Sequence, residues 1–221
     1  MQPVGAPYKD FLLPALSVVD GTQANNPTPT HGTSMLETIL RGLEQAPATS
    51  TTTPVRILPV DVYGNSETTS TFDVAKGIKA AIDGGASIVN LSLGSSGDSQ
   101  LLHSVIAQGF DRGVLFTAAA GNEPTSALTF PAAYPEVLAV TALDRKGNLA
   151  SYANFGAFVD VAAPGTGLVA YDGKNYFVTG TSTSTAFISG FASGIASTSG
   201  GKPISAAKTL ISYFGVKTKA P

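Results

Sequence analysis

Short apolar runs alternate with amphipathic segments along most of this 221-residue chain. Apolar runs of about four to eight residues are typical of buried strands, and apolar positions three and four apart are typical of helices. The pattern predicts strands over residues 15–19, 55–62, 87–93, 114–119, 137–143 and 158–161. It predicts helices over residues 32–42, 72–83, 99–111, 183–197 and 204–214. A hairpin is predicted over Leu168–Val178, because Asp172–Gly173 favours a two-residue turn.

Near-continuous apolar strands separated by helices indicate a parallel sheet that is covered on both faces. We therefore predict an α/β fold of three layers, with a mostly parallel sheet between helices and right-handed crossovers. The Thr- and Pro-rich segment Ala46–Pro54 has the composition of an exposed loop rather than of a domain linker. No internal repeat divides the chain, so we predict one domain over residues 1–221.

Composition narrows the classes of partner. Charged residues make up 13% of the chain and hydrophobic residues 43%, which is typical of a globular protein. The net charge is −2 and no basic run is longer than Arg145–Lys146, so we expect neither nucleic acid nor a membrane surface as a partner. The apolar stretch Ala186–Ile195 is too short to span a bilayer. The chain has no Cys, which excludes disulfides and thiolate chemistry.

Two polar residues follow buried strands at positions suited to acyl-transfer chemistry. Ser182 follows the predicted hairpin and lies near the first turn of a helix, where unpaired main-chain N–H groups favour a developing negative charge. Gly180 allows the chain to turn sharply there. Asn122 follows the strand that ends in AAAG, where its amide can donate to an oxyanion. Taken singly, the serine is more often a helix N-cap and the asparagine more often a turn residue.

Chain order limits which groups can act together. The chain has two histidines, and an imidazole is the natural general base near neutral pH. His103 lies within an amphipathic helix, where a surface position is expected, whereas His31 opens the segment HGTS. Because no histidine follows Ser182, the order of an active α/β-hydrolase is excluded. The remaining order places Asp20 first, at the end of a predicted buried strand, although an aspartate in Asp-Gly is also a common turn residue.

Six segments, in order, resemble the subtilisin-like serine proteases, or subtilases. They are HGTS (31–34), NLSLG (Asn90–Gly94), AAAGNE (Ala118–Glu123), PAAYPEVLAVTAL (Pro131–Leu143), DVAAPG (Asp160–Gly165) and GTSTSTAFISG (Gly180–Gly190). The resemblance covers nearly the whole chain and implies a subtilisin-like fold with serine endopeptidase activity. It implies that Ser182 is the nucleophile and His31 the general base and acid. It further implies that Asp20 orients His31 and that Asn122 donates to the oxyanion together with the Ser182 N–H.

The resemblance also implies how a polypeptide substrate would bind. An extended peptide would pair through its main chain with Ser92, Leu93 and Gly94, which gives broad sequence specificity. The pocket for the P1 side chain is expected between that segment, the region Pro131–Ala133 and the backbone of Ala119, Ala120 and Gly121. Because these walls are small and apolar, we expect a roomy pocket that prefers large apolar P1 side chains.

The chain departs from the family pattern in three ways. The acid motif reads Asp20-Gly21-Thr22 rather than Asp-Thr/Ser-Gly, and only ten residues separate Asp20 from His31. Ser184 and Ala186 stand where the family usually has alanine and proline. Ten residues span roughly 33 Å when extended, so the shortened loop still allows Asp20 to approach His31. What the shortening removes is part of the wall of the cleft.

The segment LRGLEQAPATSTTTPV after the His31 helix is the place where many subtilases hold calcium. It contains a single carboxylate, Glu44, which is too few ligands for a strong calcium site. We therefore predict no metal and no other cofactor. The partners that the family implies are polypeptide substrates and a pro-segment or proteinaceous inhibitor. We expect a monomer outside the cell, with no signal peptide, pro-segment or accessory domain in this sequence.

Two alternatives differ from an active subtilase. A catalytically silent copy of the fold could serve as a binding module, which the altered Asp20 motif favours and the presence of all four predicted site residues opposes. A sedolisin-like acid protease also carries a GTS-x-S motif, but that family has glutamate in place of the histidine. A pH optimum near neutral would separate the histidine base from the acidic type.

Overall fold

A computed structural model of the chain describes residues 10–21, 28–47, 55–199 and 203–216. Its strands are β1 (Leu16–Ser17), β2 (Val60–Asp61), β3 (Ile88–Leu91), β4 (Leu115–Ala119), β5 (Val137–Leu143), β6 (Val161–Pro164), β7 (Thr166–Tyr171) and β8 (Lys174–Thr179). Its α-helices are α1 (His31–Gln45), α2 (Thr71–Asp83), α3 (Gln100–Asp111), α4 (Thr181–Ser199) and α5 (Ala206–Phe214). No helix within the described residues is long and apolar enough to cross a membrane.

The central sheet is parallel and has the strand order β3-β4-β5-β6. Successive residues of a strand face opposite sides, so Leu115 and Phe116 of β4 belong to two different cores. Helices α2 and α3 pack on the Phe116 side, and helices α4 and α5 pack on the Leu115 side. The sheet therefore lies between two helical layers, which confirms the predicted three-layer α/β fold.

Helices α1 and α4 approach so closely that glycine is required where they meet. A Cβ atom added at Gly190 of α4 would lie 1.8 Å from the main-chain oxygen of Ile39. One added at Gly42 of α1 would lie 2.1 Å from the main-chain oxygen of Phe187. Close backbone approach of this kind needs residues without a Cβ atom. The contact fixes the second half of α1 against the middle of α4.

The first two strands are shorter than the sequence predicts. A strand is predicted over residues 55–62, but only Val60–Asp61 pairs with Leu16–Ser17. Pro59 has no N–H group to offer a ladder, and Ile57 forms only an isolated bridge with Leu12. The prediction of two long strands in this region is wrong. Of the predicted loop Ala46–Pro54, residues 48–54 lie outside the described residues.

Strand β6 begins three residues later than predicted. The sequence predicts a strand over Phe158–Val161, whereas the ladder starts with Val161 opposite Val140. Asp160 Oδ2 accepts a hydrogen bond from the Ala139 N–H at 2.8 Å, so a side chain serves as the acceptor just before the ladder. The other predicted helices and strands, and the hairpin with its turn at Asp172–Gly173, overlap the observed elements.

A crevice of about 1260 Å³ lies between the small β1–β2 sheet and the central sheet. Residues 55–63 line it on the β2 side, and residues 86–93 line it on the β3 side. Helix α2 contributes Val74 to its lining and helix α4 contributes Ser189. Within the described residues β3 pairs only with β4, so the two sheets are not joined edge to edge.

Candidate active site

Ser182 is presented at the start of α4 by the β7–β8 hairpin. The hairpin closes where Gly180, with φ +147°, donates its N–H to the Gly165 carbonyl at 2.9 Å. Ser182 is the second residue of the helix, and it is the only one of residues 181–190 that is not buried. Its main-chain N–H lies in the first turn, where no intrahelical acceptor exists. The predicted nucleophile is therefore half-buried, and accessible in part, at a positive helix terminus.

Asn122 faces this helix start through its side-chain amide. Its Oδ1 accepts hydrogen bonds from the Thr181 N–H at 2.9 Å and from the Thr181 hydroxyl at 3.1 Å. These bonds fix the amide plane and leave the Nδ2 group available to donate elsewhere. A Cβ atom at Gly180 would lie 3.6 Å from Nδ2 and 3.8 Å from the Ser182 nitrogen. Glycine at position 180 thus leaves an open space between two hydrogen-bond donors.

His31 is the first residue of α1, and its ring points toward the same place. Its Nε2 lies 3.1 Å from the Ser92 carbonyl oxygen, and Ser182 Oγ lies 3.2 Å from that same oxygen. The two reactive atoms are therefore no farther apart than the sum of these distances. In this ring orientation Nε2 donates to the carbonyl, and within the described residues no hydrogen bond joins it to Ser182.

A network of buried hydroxyl and amide groups lies beneath Ser182. Ser92 Oγ donates to the Ser182 carbonyl at 3.0 Å and accepts from Asn90 Nδ2 at 3.0 Å. Asn90 Oδ1 in turn accepts from Ser189 Oγ at 2.9 Å, and Ser189 lies 2.7 Å from Thr117 Oγ1. Buried polar groups that are all hydrogen-bonded hold one arrangement. The network ties the end of β3 to the first half of α4.

The segment predicted to bind substrate has a free main-chain edge. Among the described residues, no main-chain hydrogen bond is formed by Leu93 or Gly94, and Gly94 is exposed. Beyond them, Ser95 and Phe130 exchange hydrogen bonds of 2.9 and 2.8 Å, which closes this end of the edge. The main-chain groups of Leu93 and Gly94 are therefore unpaired among the described residues, whereas the Ser92 carbonyl is bonded to His31 and Ser182.

Thr129 lies between two of the predicted walls of the P1 pocket. A Cβ atom at Gly94 would lie 2.9 Å from Thr129 Cγ2, and one at Gly121 would lie 3.2 Å from Thr129 Oγ1. Asn154 Nδ2 holds the Thr129 hydroxyl at 3.1 Å, and Asn154 Oδ1 accepts from the Glu123 N–H at 2.8 Å. Ala119 and Ala120 are buried, so they offer this pocket main chain rather than side chains.

Asp20 is not brought to His31. It follows the two-residue strand β1 and is exposed, as are Leu16 and Ser17 within that strand. Within the described residues no hydrogen bond or ion pair joins Asp20 to His31. The prediction that Asp20 ends a buried strand is therefore wrong, because β1 pairs only with β2 within the described residues and both of its residues are exposed.

Sequence patterns alone do not reveal the supporting roles of Thr181 and Asn154, nor the role of the hydroxyl of Ser92, which is predicted only to bind substrate through its main chain. Thr181 orients the Asn122 amide and also accepts from the Gly121 N–H at 3.2 Å. Asn154 fixes the loop after Asn122, and Ser92 contributes both its hydroxyl and its carbonyl. Thr181 stands inside the GTS motif, which was the only available signal. Asn154 lies far along the chain from the loop that it holds.

His103 does not join the residues around Ser182 and has partners of its own. His103 Nε2 lies 2.9 Å from Glu136 Oε2, and its ring stacks on Tyr134 at 4.3 Å, which agrees with the predicted surface position on α3. In the described part of the chain no three His, Cys, Asp or Glu side chains are grouped to hold a metal ion. Part of the segment predicted to lack a calcium site, residues 48–54, lies outside that part.

Comparison with known proteins identifies the family. The model of the subtilase family, Peptidase_S8, matches residues 7–211. A thermophilic serine proteinase of Bacillus sp. (strain AK1) is 37% identical over 144 residues, which are 64% of this chain and 36% of that protein. Subtilisin Savinase of Lederbergia lenta is 33% identical over 178 residues, which are 80% of this chain and 66% of that protein. The chain thus spans between about one third and two thirds of the length of these relatives.

Solved structures extend the likeness to the fold. A serine-to-alanine mutant of the protease domain of PatA superimposes with a TM-score of 0.76 at 27% identity, covering 90% of this chain and 78% of that domain. The prenylagaramide maturation protease PagA superimposes with a TM-score of 0.73 at 28% identity, covering 89% of this chain and 80% of that one. With the family model matching more than nine tenths of its length, the chain belongs to the subtilase family.

Proposed function

We propose that this protein is a serine endopeptidase in which Ser182 attacks the peptide carbonyl. The observation that carries the proposal is that Ser182 alone among residues 181–190 is not buried, while its own N–H and the Asn122 amide lie on either side of the space left by Gly180. An attacking oxygen needs access, and the tetrahedral intermediate needs hydrogen-bond donors aimed at its oxyanion. The Ser182 N–H and Asn122 Nδ2 are those donors.

His31 acts as general base and then as general acid. To accept the Ser182 proton, Nε2 has to be unprotonated and to turn from the Ser92 carbonyl toward Ser182 Oγ, which shares that carbonyl. Catalytic hydrogen bonds are often poorly aligned before substrate binds. As Ser182 Oγ bonds to the carbonyl carbon, its proton passes to Nε2. The same proton then passes to the leaving amine, and water hydrolyses the acyl-enzyme by the same route.

Asp20 is the proposed partner of His31, and its role requires a closer approach than the described arrangement. A carboxylate orients the imidazole by accepting the Nδ1 proton, which keeps Nε2 free to act as a base. The crevice between β2 and β3, together with the unpaired edge of β3, gives β1 room to approach. Ten intervening residues do not limit that approach.

Polypeptides are the proposed substrates, bound as an added strand along Ser92, Leu93 and Gly94. Large apolar P1 side chains remain the proposed preference, within the limit set by Thr129 between the pocket walls. Glu123 is exposed beside this region, where it would tolerate a basic P1 side chain. We further propose a monomer that acts outside the cell, since a similar protein is named minor extracellular protease Epr of Bacillus subtilis.

Labelling with a fluorophosphonate tests the proposal, because this reagent forms a stable bond only with an activated serine. We expect the wild type to be labelled and Ser182→Ala to remain unlabelled. Ser104→Ala is the matched control, since Ser104 is exposed on α3 and has no place in the site. An unlabelled wild type, or a Ser182→Ala protein that is labelled, would overturn the assignment.

A second candidate function is supported by the position of Asp20. An exposed carboxylate that does not contact His31 suits a silent subtilase fold that binds polypeptides without cleaving them. Such a protein would retain an inhibitory or regulatory peptide on the 92–94 edge. Failure of the wild type to react with fluorophosphonate, combined with measurable binding of an extended peptide, would select this candidate.

A further inference from the structure

Strand β7 has one edge that β8 does not cover. The hairpin pairs Val169 with Tyr176 and Leu168 with Phe177. In an antiparallel pair, alternate residues direct their N–H and C=O groups away from the partner strand. The Leu168 carbonyl and the Ala170 N–H both point to this outer side, where they meet side chains of α1. An open strand edge of this kind needs some form of cover.

Two side chains of α1 supply that cover. Glu37 Oε2 accepts a hydrogen bond from the Ala170 N–H at 2.8 Å, and the Arg41 guanidinium donates to the Leu168 carbonyl. Four helical residues rise about 6 Å, and two strand residues span about 6.7 Å. One acceptor and one donor at this spacing therefore fit one N–H and one C=O on the strand. We call these two residues and their two bonds the α1–β7 clamp.

Glu37 occupies a position that is costly for a carboxylate. Only 5% of the residue is exposed, and burial raises the pKa of Glu37, while the Ala170 N–H and the Arg41 charge oppose that rise. Burying a charge stabilises a protein only when its hydrogen bonds are well satisfied. A buried acid on the helix of the proposed base thus has a defined partner on the strand.

The clamp joins the two elements that carry the proposed base and nucleophile. Helix α1 begins at His31, and β8 leads through Gly180 directly into Ser182. Direct packing of α1 on α4 holds the two helices together, and the two bonds of the clamp are a separate contact between α1 and the hairpin. We propose that Glu37 and Arg41 are positioning residues, which hold the hairpin against α1 and so set the place of Ser182 relative to His31. This proposal rests on the proposed proteolytic function.

Replacing the acceptor tests the clamp. Glu37→Leu removes the acceptor at similar size, and Glu37→Gln retains an acceptor oxygen. Small displacements of reacting groups lower kcat by one to two orders of magnitude. With rates normalised to fluorophosphonate-titrated sites, we expect Glu37→Leu to lower kcat about tenfold with KM changed by less than about twofold. Glu37→Gln should restore most of kcat.

Glu44→Leu is the matched control, since Glu44 is exposed on the same helix. Ala170→Pro removes the N–H donor from the strand side, so it should reproduce the kcat loss even if Glu37→Leu fails to fold. Hydrogen exchange of the Ala170 amide gives a readout without activity, and it should be faster in Glu37→Leu than in Glu37→Gln.

The outcomes separate the clamp from the proposed function. A wild type that fluorophosphonate does not label overturns the proposed function, while the amide exchange still tests the clamp. A labelled wild type with unchanged kcat in both Glu37→Leu and Ala170→Pro overturns the positioning role. Equal losses in Glu37→Gln and Glu37→Leu would assign the effect to charge and overturn the hydrogen-bonded clamp.

Discussion

The two ends of the predicted triad are built very differently. Ser182 stands on a helix whose neighbours are buried, next to an amide fixed by two hydrogen bonds and above a connected polar network. Asp20 follows a two-residue strand with exposed side chains and is itself exposed. The predicted nucleophile is thus carried by a buried helix, whereas the predicted acid follows an exposed strand.

This difference teaches that attack and base orientation depend on separate parts of the fold. The proposed oxyanion donors lie at the start of α4 and just after the end of β4, and both of these elements pack in or against the central sheet. Asp20 forms no hydrogen bond or ion pair with His31 in the described arrangement, so the proposed acid has to approach the imidazole before it can orient it. Preorganised donors need no rearrangement during reaction, whereas the acid's contribution includes the free energy of that approach.

The largest expected effect comes from Asp20→Asn. If Asp20 orients His31, the change keeps the shape but favours the wrong imidazole tautomer, and kcat should fall by about 10⁴-fold. Steady-state hydrolysis of a short peptide substrate measures this loss, with Asp10→Asn as an exposed control. A loss of less than about tenfold would mean that Asp20 does not orient His31 during catalysis.

Asn122→Ala addresses the other side of the comparison. Removing the Nδ2 donor should lower kcat by about 10²–10³-fold with little change in KM, a range taken from subtilisins rather than derived from this geometry. Asn175→Ala, on the exposed face of β8, is the matched control. If KM rose and kcat did not change, Asn122 would bind substrate in its ground state instead of stabilising the oxyanion.

Sequence reasoning succeeded where local pattern and buried structure agree. The strand over Val137–Leu143 is observed with the predicted bounds. The turn at Asp172–Gly173 is also confirmed: both residues have positive φ, a conformation that Asp and Gly tolerate better than most residues. The prediction of a buried strand at β1 failed, because the pattern of apolar residues does not reveal whether a strand has partners on both of its edges. Sequence reasoning also missed Asn154, whose contacts with the 121–129 loop depend on tertiary packing alone.

Gly190→Ala tests how firmly the nucleophile end is held. A methyl group there would overlap the Ile39 carbonyl, so α1 and α4 would have to separate. Overpacking of this kind costs about 1–3 kcal/mol in the free energy of unfolding, which urea denaturation measures. Gly97→Ala is the control, since the nearest atom to its added Cβ would be 3.9 Å away. Equal stability of both variants would show that α1 and α4 can accommodate an added methyl group at no cost in the free energy of unfolding.

The smallest expected effect concerns the P1 pocket. Thr129→Gly removes the side chain between Gly94 and Gly121, so the ratio of kcat/KM for Phe over Ala at P1 should rise about tenfold, the lower end of the effect of one methylene group. Thr129→Ser keeps the hydroxyl that Asn154 holds and removes only Cγ2, so it should give part of the rise. If the ratio stays constant in both variants, the P1 side chain does not enter the space between these two glycines. Specificity would then be set by other parts of the cleft than the Gly94–Thr129–Gly121 region.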